Sequence, residues 1–176
     1  MHEDIIEKIE IPEGVEVNID SEIKMKGPKG ELARKFPIEI KKEGNILIID
    51  HKKATKKNKN IIKTTKAHLK NMLNGVLSGY EYKLQICSVH FPITVAIQGD
   101  LVLIKNFLGE TKERKAKILK NTKIKIEGDT IVITSPDIEA GGQTAANIEL
   151  ATKIKNRDRT RFQDGIWITQ KANEAI

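Results

Sequence analysis

Val15, Val17 and Ile19 alternate with polar residues, a period of two that predicts a half-buried strand. Ile23 and Met25 carry the alternation into 26–30, where Gly27-Pro28 and Gly30 supply the geometry of a hairpin tip. Phe36, Ile38 and Ile40 alternate again, and Gly44-Asn45 separates them from Ile46-Leu47-Ile48-Ile49 as a hairpin turn would. From Thr55 to Leu77 the period changes to 3.6. Ile61, Thr65, Met72 and Val76 share one face, with Ile62 and Leu69 at its edge. Lys56, Lys59, Lys63, Lys66 and Lys70 form a stripe on about the opposite side. This spacing predicts an amphipathic helix packed on a sheet by one face and cationic on the other, ended by Gly79 as a C-cap. Tyr82, Leu84 and Ile86 predict a further strand that closes the first sheet or bridges to a second. The first ten residues, charged with sparse isoleucine, read as a short helix or a loose arm.

The pattern is then written again. With Pro92 set on Pro12, Val95 falls on Val15, Ile97 on Val17 and Asp100 on Asp20. One residue of slippage aligns Lys105-Asn106-Phe107-Leu108-Gly109-Glu110 with Lys26-Gly27-Pro28-Lys29-Gly30-Glu31. Further on, Glu127-Gly128-Asp129-Thr130-Ile131-Val132-Ile133 echoes Glu43-Gly44-Asn45-Ile46-Leu47-Ile48-Ile49. A repeat this long is a small domain, not a solenoid unit. The second copy is expected to run as strands near 95–97 and 101–104, a basic segment, and strands at 123–127 and 130–134. A helix capped by Asp137 follows. Gly141-Gly142 cost about 1 kcal/mol each in a helix interior, so the helix begins after them at Gln143 or another backbone approaches closely there. The expected fold class is α+β, with two tandem homologous domains, each an antiparallel sheet packed with one helix. The expected boundaries are 1–82 and 83–176, the second carrying a basic extension and a last strand at Ile166-Trp167-Ile168.

Composition narrows the class. No apolar run approaches a membrane span, and Met1-His2-Glu3-Asp4 starts acidic, unlike a signal peptide. The lone Cys87 fits a reducing compartment, so a cytoplasmic protein with no membrane partner is expected. Lys and Arg number 31 against 24 Asp and Glu, a net charge of +7. The excess is segregated: eight lysines and no acid lie between His51 and Tyr80. Seven bases stand against Glu113 over 112–125, and five against Asp158 over 153–161. Clustered base of this kind is the footprint of a polyanion-binding protein.

Candidate chemistry is sparse. Cys87 and His90 have the spacing of a metal pair, but without a second pair a thiol and an ordinary histidine suffice. The Lys26–Gly30 tip lacks the GxxxxGK[ST] phosphate loop and reads as a turn that could touch RNA backbone. No nucleophile, base or carboxylate pair assembles into a site for an RNA enzyme, and no cofactor or small-molecule substrate is expected. The second copy differs from the first after its helix, where it extends through Lys153, Lys155, Arg157, Arg159, Arg161, Phe162 and Gln163. Alternate arginines beside an aromatic ring combine planar phosphate forks with a stacking surface. These residues, with Lys112, Arg114 and Lys115 of the basic segment and Lys56 and Lys63 of the first helix, are the candidate RNA contacts. Asp158 and Asp164 are expected to orient the loop by pairing with a neighbouring arginine.

The motifs then carry a resemblance. Asn71-Met72-Leu73-Asn74-Gly75-Val76-Leu77-Ser78-Gly79-Tyr80 is similar to the N-M-x-x-G-V-x-x-G-[FY] signature of the sixth large-subunit ribosomal protein family. Phe91-Pro92, Asn106-Phe107-Leu108-Gly109-Glu110, the 142–149 run Gly-Gln-Thr-Ala-Ala-Asn-Ile-Glu, and Phe162-Gln163-Asp164-Gly165-Ile166 resemble its archaeal and eukaryotic branch. The similarity spans essentially the whole chain. Thr64 and Asn156 depart from it, each standing where the pattern frequently has glycine. The resemblance implies two α+β domains from an ancient duplication. It also implies binding to 23S-type rRNA near the subunit interface, the sarcin–ricin loop and the base of the acidic stalk, among large-subunit proteins and with translation factors docking nearby. On this resemblance 153–163 is the RNA-facing extension. The alternative is an architectural RNA-binding protein that acts free of the ribosome.

Overall fold

The written repeat is a repeat in space. The computed structural model describes residues 3–158 and 160–175, and their packing divides the chain between Gly79 and Tyr80. The first unit holds β1 (Glu3–Glu10), β2 (Glu16–Ile19), β3 (Ile23–Gly27), β4 (Gly30–Arg34), β5 (Ile40–Glu43), β6 (Ile46–Ala54) and α1 (Lys56–Leu77). Its strands form two three-stranded antiparallel sheets, ordered β2-β3-β4 and β5-β6-β1. The second unit holds β7 (Tyr80–Cys87), β8 (Thr94–Gln98), β9 (Leu101–Lys105), β10 (Arg114–Lys117), β11 (Lys123–Glu127), β12 (Thr130–Ser135), α2 (Ile138–Ala151), β13 (Gly165–Lys171) and β14 (Glu174–Ala175). The order β8-β9-β10 matches the first small sheet and β11-β12-β7 matches the second. The second unit adds β13 and β14 beyond β7, so that β7 becomes a central strand.

Each unit has its own core. Met25, Leu47 and Ile49 of the first unit's sheets meet Ile62, Leu69, Leu73 and Val76 of α1, and full burial of each such aliphatic side chain contributes about 1.5–3 kcal/mol. The buried face is turned toward Ile62 and Leu73 relative to the expected stripe, leaving Ile61 half-buried. Thr55 caps α1 by accepting from the Asn58 N–H at 3.3 Å, and Gly79, at φ +77°, follows the last turn in the left-handed region that glycine adopts without strain.

Three expectations are corrected. Residues 3–10 form neither helix nor arm but β1, paired along β6; the partner lies about forty positions away, so no local signal marks it. Phe36 and Ile38 pack on the core from a loop, and the strand begins only at Ile40; Pro37 between them has no N–H for a ladder. Helix α2 starts at Ile138, ahead of the glycine pair. Its glycines admit an aromatic ring and not another backbone. A Cβ on Gly141 would sit 2.7 Å from Cε2 of the buried Tyr82, whose hydroxyl donates to the Ile138 carbonyl at 2.8 Å. Burial, then the nearby Tyr80 and Asp137, push the Tyr82 hydroxyl pKa up to about 12.

We propose Gly79/Tyr80 as the boundary between independently folding domains. A cut at 82/83 would sever β7 and remove Tyr82 from the core it completes. A fragment 80–176 is expected to keep cooperative thermal unfolding. A fragment 83–176 is expected to be less stable by at least the 3–5 kcal/mol typical of a lost core aromatic. Circular dichroism melts of the two fragments check this.

Candidate nucleic-acid interface

The basic extension leaves the end of α2 and returns as β13, and its two ends are fastened differently. At the α2 end, Arg114 of β10 donates through Nε and Nη2 to both carboxylate oxygens of Glu110, at 2.8 and 2.6 Å. Its Nη1 donates to the carbonyls of Ala151 and Lys153, at 2.9 and 3.3 Å. The guanidinium also lies 4.3 Å from the centre of the Phe107 ring. The fork therefore closes the C-terminus of α2, where carbonyls lack intrahelical donors, and ties β10 to the first residue of the extension. The hydrogen bond from Arg114 holds the Glu110 carboxyl below the usual carboxylate range, with further help from the charges of Arg114 and Arg157. Arg114, one of the expected RNA contacts, thus has these donors engaged within the protein.

At the β13 end, the buried Asp164 accepts at Oδ1 from the N–H groups of Val89 and His90, at 2.7 and 2.9 Å. Its Oδ2 lies 2.6 Å from His90 Nδ1. Asp164 does orient the loop, but through His90 and two amides, not through an arginine. Burial alone would raise its pKa; the hydrogen bonds from the backbone and ring of His90 and from Val89 outweigh that and hold it below the ordinary aspartate value. A depressed folded-state pKa contributes stability that is fully present above the unfolded value, about 3.9, and is lost as pH falls through the lower folded value. The contacts of Val89 and His90 with Asp164 are therefore expected to release only below about pH 4. NMR shifts of the Val89 and His90 amides in an acid titration check this, and the Asp164→Asn variant is expected to lack the acid step.

Between these fastenings the cations are displayed. Lys153, Lys155, Arg157, Arg161 and Gln163 are exposed, while Arg159 lies outside the described residues. Arg157 lies over the Phe162 ring at 5.0 Å, so the expected arginine–aromatic pairing is present with Phe162 half-buried. Asn156 adopts φ +57°, a left-handed conformation that asparagine tolerates best among residues with a side chain, so the bend before Arg157 forms without glycine. Asp158 accepts from the N–H and hydroxyl of Thr160 at 2.9 and 2.7 Å, and that hydroxyl, then the amide, lowers its pKa. The segment 112–117 is a strand in part, and Lys112 and Lys115 are exposed on it. Lys56, Lys63 and Lys70, at seven-residue spacing, are exposed on α1 of the first unit. Lys59 and Lys66 are half-buried, and Lys66 is paired with Glu7 of β1.

The contact of His90 with Asp164 is the pairing that sequence reasoning missed. The two residues stand 74 positions apart, and only the antiparallel pairing of β13 with β7 brings them together. Among the described residues no three histidines, cysteines or carboxylates gather to hold a metal, and no helix is long and apolar enough to cross a membrane.

Two copies of one α+β unit, with cations on exposed loops and one helix face, define a duplicated basic protein of the kind that lies against a polyanion. Residues 11–79 and 91–165 each match the family model described as Ribosomal protein L6, and the chain belongs to that family. Its relatives include large ribosomal subunit protein uL6 of Methanobrevibacter smithii, 47% identical over 95% of this chain and 96% of the relative. The proteins of the same name from Sulfurisphaera tokodaii and Aeropyrum pernix are 45% and 41% identical, each over 95% of this chain and over 92% and 94% of their own lengths.

Proposed function

We propose that this chain binds 23S-type rRNA near the sarcin–ricin loop, the subunit interface and the base of the acidic stalk. As an L6-family protein it is a structural constituent of the large ribosomal subunit and not an enzyme, and it works in the cytoplasm among rRNA and ribosomal proteins. The placement is what membership of the family implies; RNA contact by the extension is supported by one observation above all, that the second copy alone carries it, with Lys153, Lys155, Arg157 and Arg161 exposed while Arg114 and Asp164 fasten its ends. Lys153, Lys155, Arg157, Arg159, Arg161 and Gln163 make the main contacts in this reading. Lys112 and Lys115 contribute alongside them, and Lys56 and Lys63 add contacts from the first unit. Neighbouring proteins of the stalk base and docking translation factors lie close by.

The test is crosslinking in cells, sequencing of the attached RNA, and sedimentation after a high-salt wash. Crosslinks in the sarcin–ricin region with retention on large subunits are expected. Retention with crosslinks elsewhere overturns the placement. Release to the top of the gradient overturns the assembly and favours a free architectural RNA-binding protein.

A further inference from the structure

We infer that the loop at 88–92, between β7 and β8, is a stacking platform for unpaired nucleobases beside the cationic extension, an inference that rests on the rRNA-binding reading above. The loop is built to be rigid. One buried carboxylate, Asp164, 1% exposed, holds two successive backbone N–H groups and the imidazole of His90, and the Asn106 amide donates to the Pro92 carbonyl at 3.0 Å. On this rigid base the loop displays apolar and planar groups outward: Val89 is 68% exposed and Phe91 47%.

Phe91 rests on the backbone of Gly109, its ring 3.4 Å from where a Cβ would stand. Its exposure is therefore not that of a dangling side chain: the ring packs at contact distance over the turn that Gly109 makes at φ +76°. His90 meets the Phe162 ring at 5.0 Å between centroids and 31° between planes, and Arg157 lies at 5.0 Å from the same ring. Imidazole, phenyl and guanidinium planes are thus gathered where the extension begins to return. Because a carboxylate only accepts, the hydrogen on the His90–Asp164 contact belongs to Nδ1, and Nε2 remains to address a base edge.

An exposed aromatic group invites either an apolar protein surface or a nucleobase. The surroundings favour the base. Lys153, Lys155, Arg157 and Arg161 attract a phosphate backbone, while Asp158 is engaged by Thr160 and Glu110 by Arg114. Cationic grooves with aromatic side chains are how proteins take up unstacked nucleotides, since every base has a π-face.

The two kinds of contact separate in salt. Phosphate contacts release counterions and set the salt slope, whereas stacking on a neutral ring changes affinity without changing it. The measurement uses the full chain with a 23S-type rRNA transcript across a salt series, and a 2-aminopurine-labelled oligoadenylate as a fluorescent report of stacking. Phe91→Ala, and more so Phe91→Ala with His90→Ala, is expected to weaken rRNA binding by about tenfold at every salt concentration with an unchanged slope. It is also expected to abolish 2-aminopurine quenching. Phe91→Tyr keeps both readouts and Phe91→Leu, apolar but without a π-face, loses both; equal melting temperatures show that all variants fold.

Unchanged affinity in the double variant, no quenching by the wild type, or a tenfold loss accompanied by a shallower slope each overturns the platform. Normal RNA binding with loss of a neighbouring large-subunit protein from the assembled particle overturns it in favour of protein docking. Failure of the underlying reading is a different result: a wild type that shows no salt-dependent affinity for rRNA at all.

Discussion

Replacing Arg157, Arg159 and Arg161 together by alanine is expected to flatten the salt dependence of rRNA binding by roughly two units, with a large loss of affinity at low salt. Each cation that neutralises a phosphate contributes about 0.7–0.9 to the slope, and Arg157 and Arg161 stand exposed on a segment that the first copy lacks. The fold is expected to persist, because Arg114 and Asp164 fasten the ends of the extension and are both retained. The corresponding triple lysine variant restores slope, since charge returns, but less affinity, since the planar fork does not. Lys56, Lys63 and Lys70 provide the contrast. Reversing these three exposed charges to glutamate is expected to shift stability by no more than about 0.5 kcal/mol each, and to weaken binding less than the arginine variant does. Filter-binding titrations from low to high salt decide the matter. An unchanged slope in a folded triple alanine variant would remove the extension from the interface.

Gly27→Ala is expected to be among the most damaging single-methyl additions in the first domain. Gly27 ends β3, and a Cβ there would stand 2.6 Å from the carbonyl oxygen of Val76 and 3.0 Å from its carbon, in the last turn of α1. Backbone cannot rotate out of the way as a side chain does. The same Val76 oxygen accepts from the Lys29 N–H at 3.0 Å, so the hairpin tip and helix end would lose a hydrogen bond as they part. Overpacking of this kind costs about 1–3 kcal/mol. For a domain of this size that lowers the melting temperature by about 4–8 °C per kcal/mol. Calorimetry of the full chain is expected to show the first domain's transition falling while the second stays in place. A variant that melts like the wild type would show that the close approach of Gly27 to Val76 does not constrain the domain.

What could be read from the sequence was whatever repeats at short range. The alternation of Val15, Val17 and Ile19, the turn at Gly44-Asn45 and the 3.6-residue stripe of α1 are local patterns, and the copied blocks carry them into the second unit. What could not be read depends on partners far along the chain. Strand β1 has sparse isoleucines and becomes a strand only by pairing with β6. Gly141 looks like a flaw in α2 until the ring of Tyr82 is placed beside it. Arg114 counts as one more base in a basic segment until the carbonyls of Ala151 and Lys153 turn toward it. His90 reads as an ordinary histidine because Asp164 is dozens of residues away. The charge of the extension was therefore legible, and the fastenings that shape it were not.

The covered edge of β7 also sets a timetable for synthesis. Its register with β13 joins Cys87 to Gly165, so β7 must wait for a partner made 78 positions later (165 − 87). At about 5–20 residues per second, translation leaves that edge open for about 4–16 s. The first domain needs no such late arrival, because β1 meets β6 and α1 follows directly. An open strand edge is a template for pairing with the wrong chain. In the second half of the nascent protein that template is thus present for seconds and then covered, whereas β1, its counterpart in the first half, stands at the end of its own sheet.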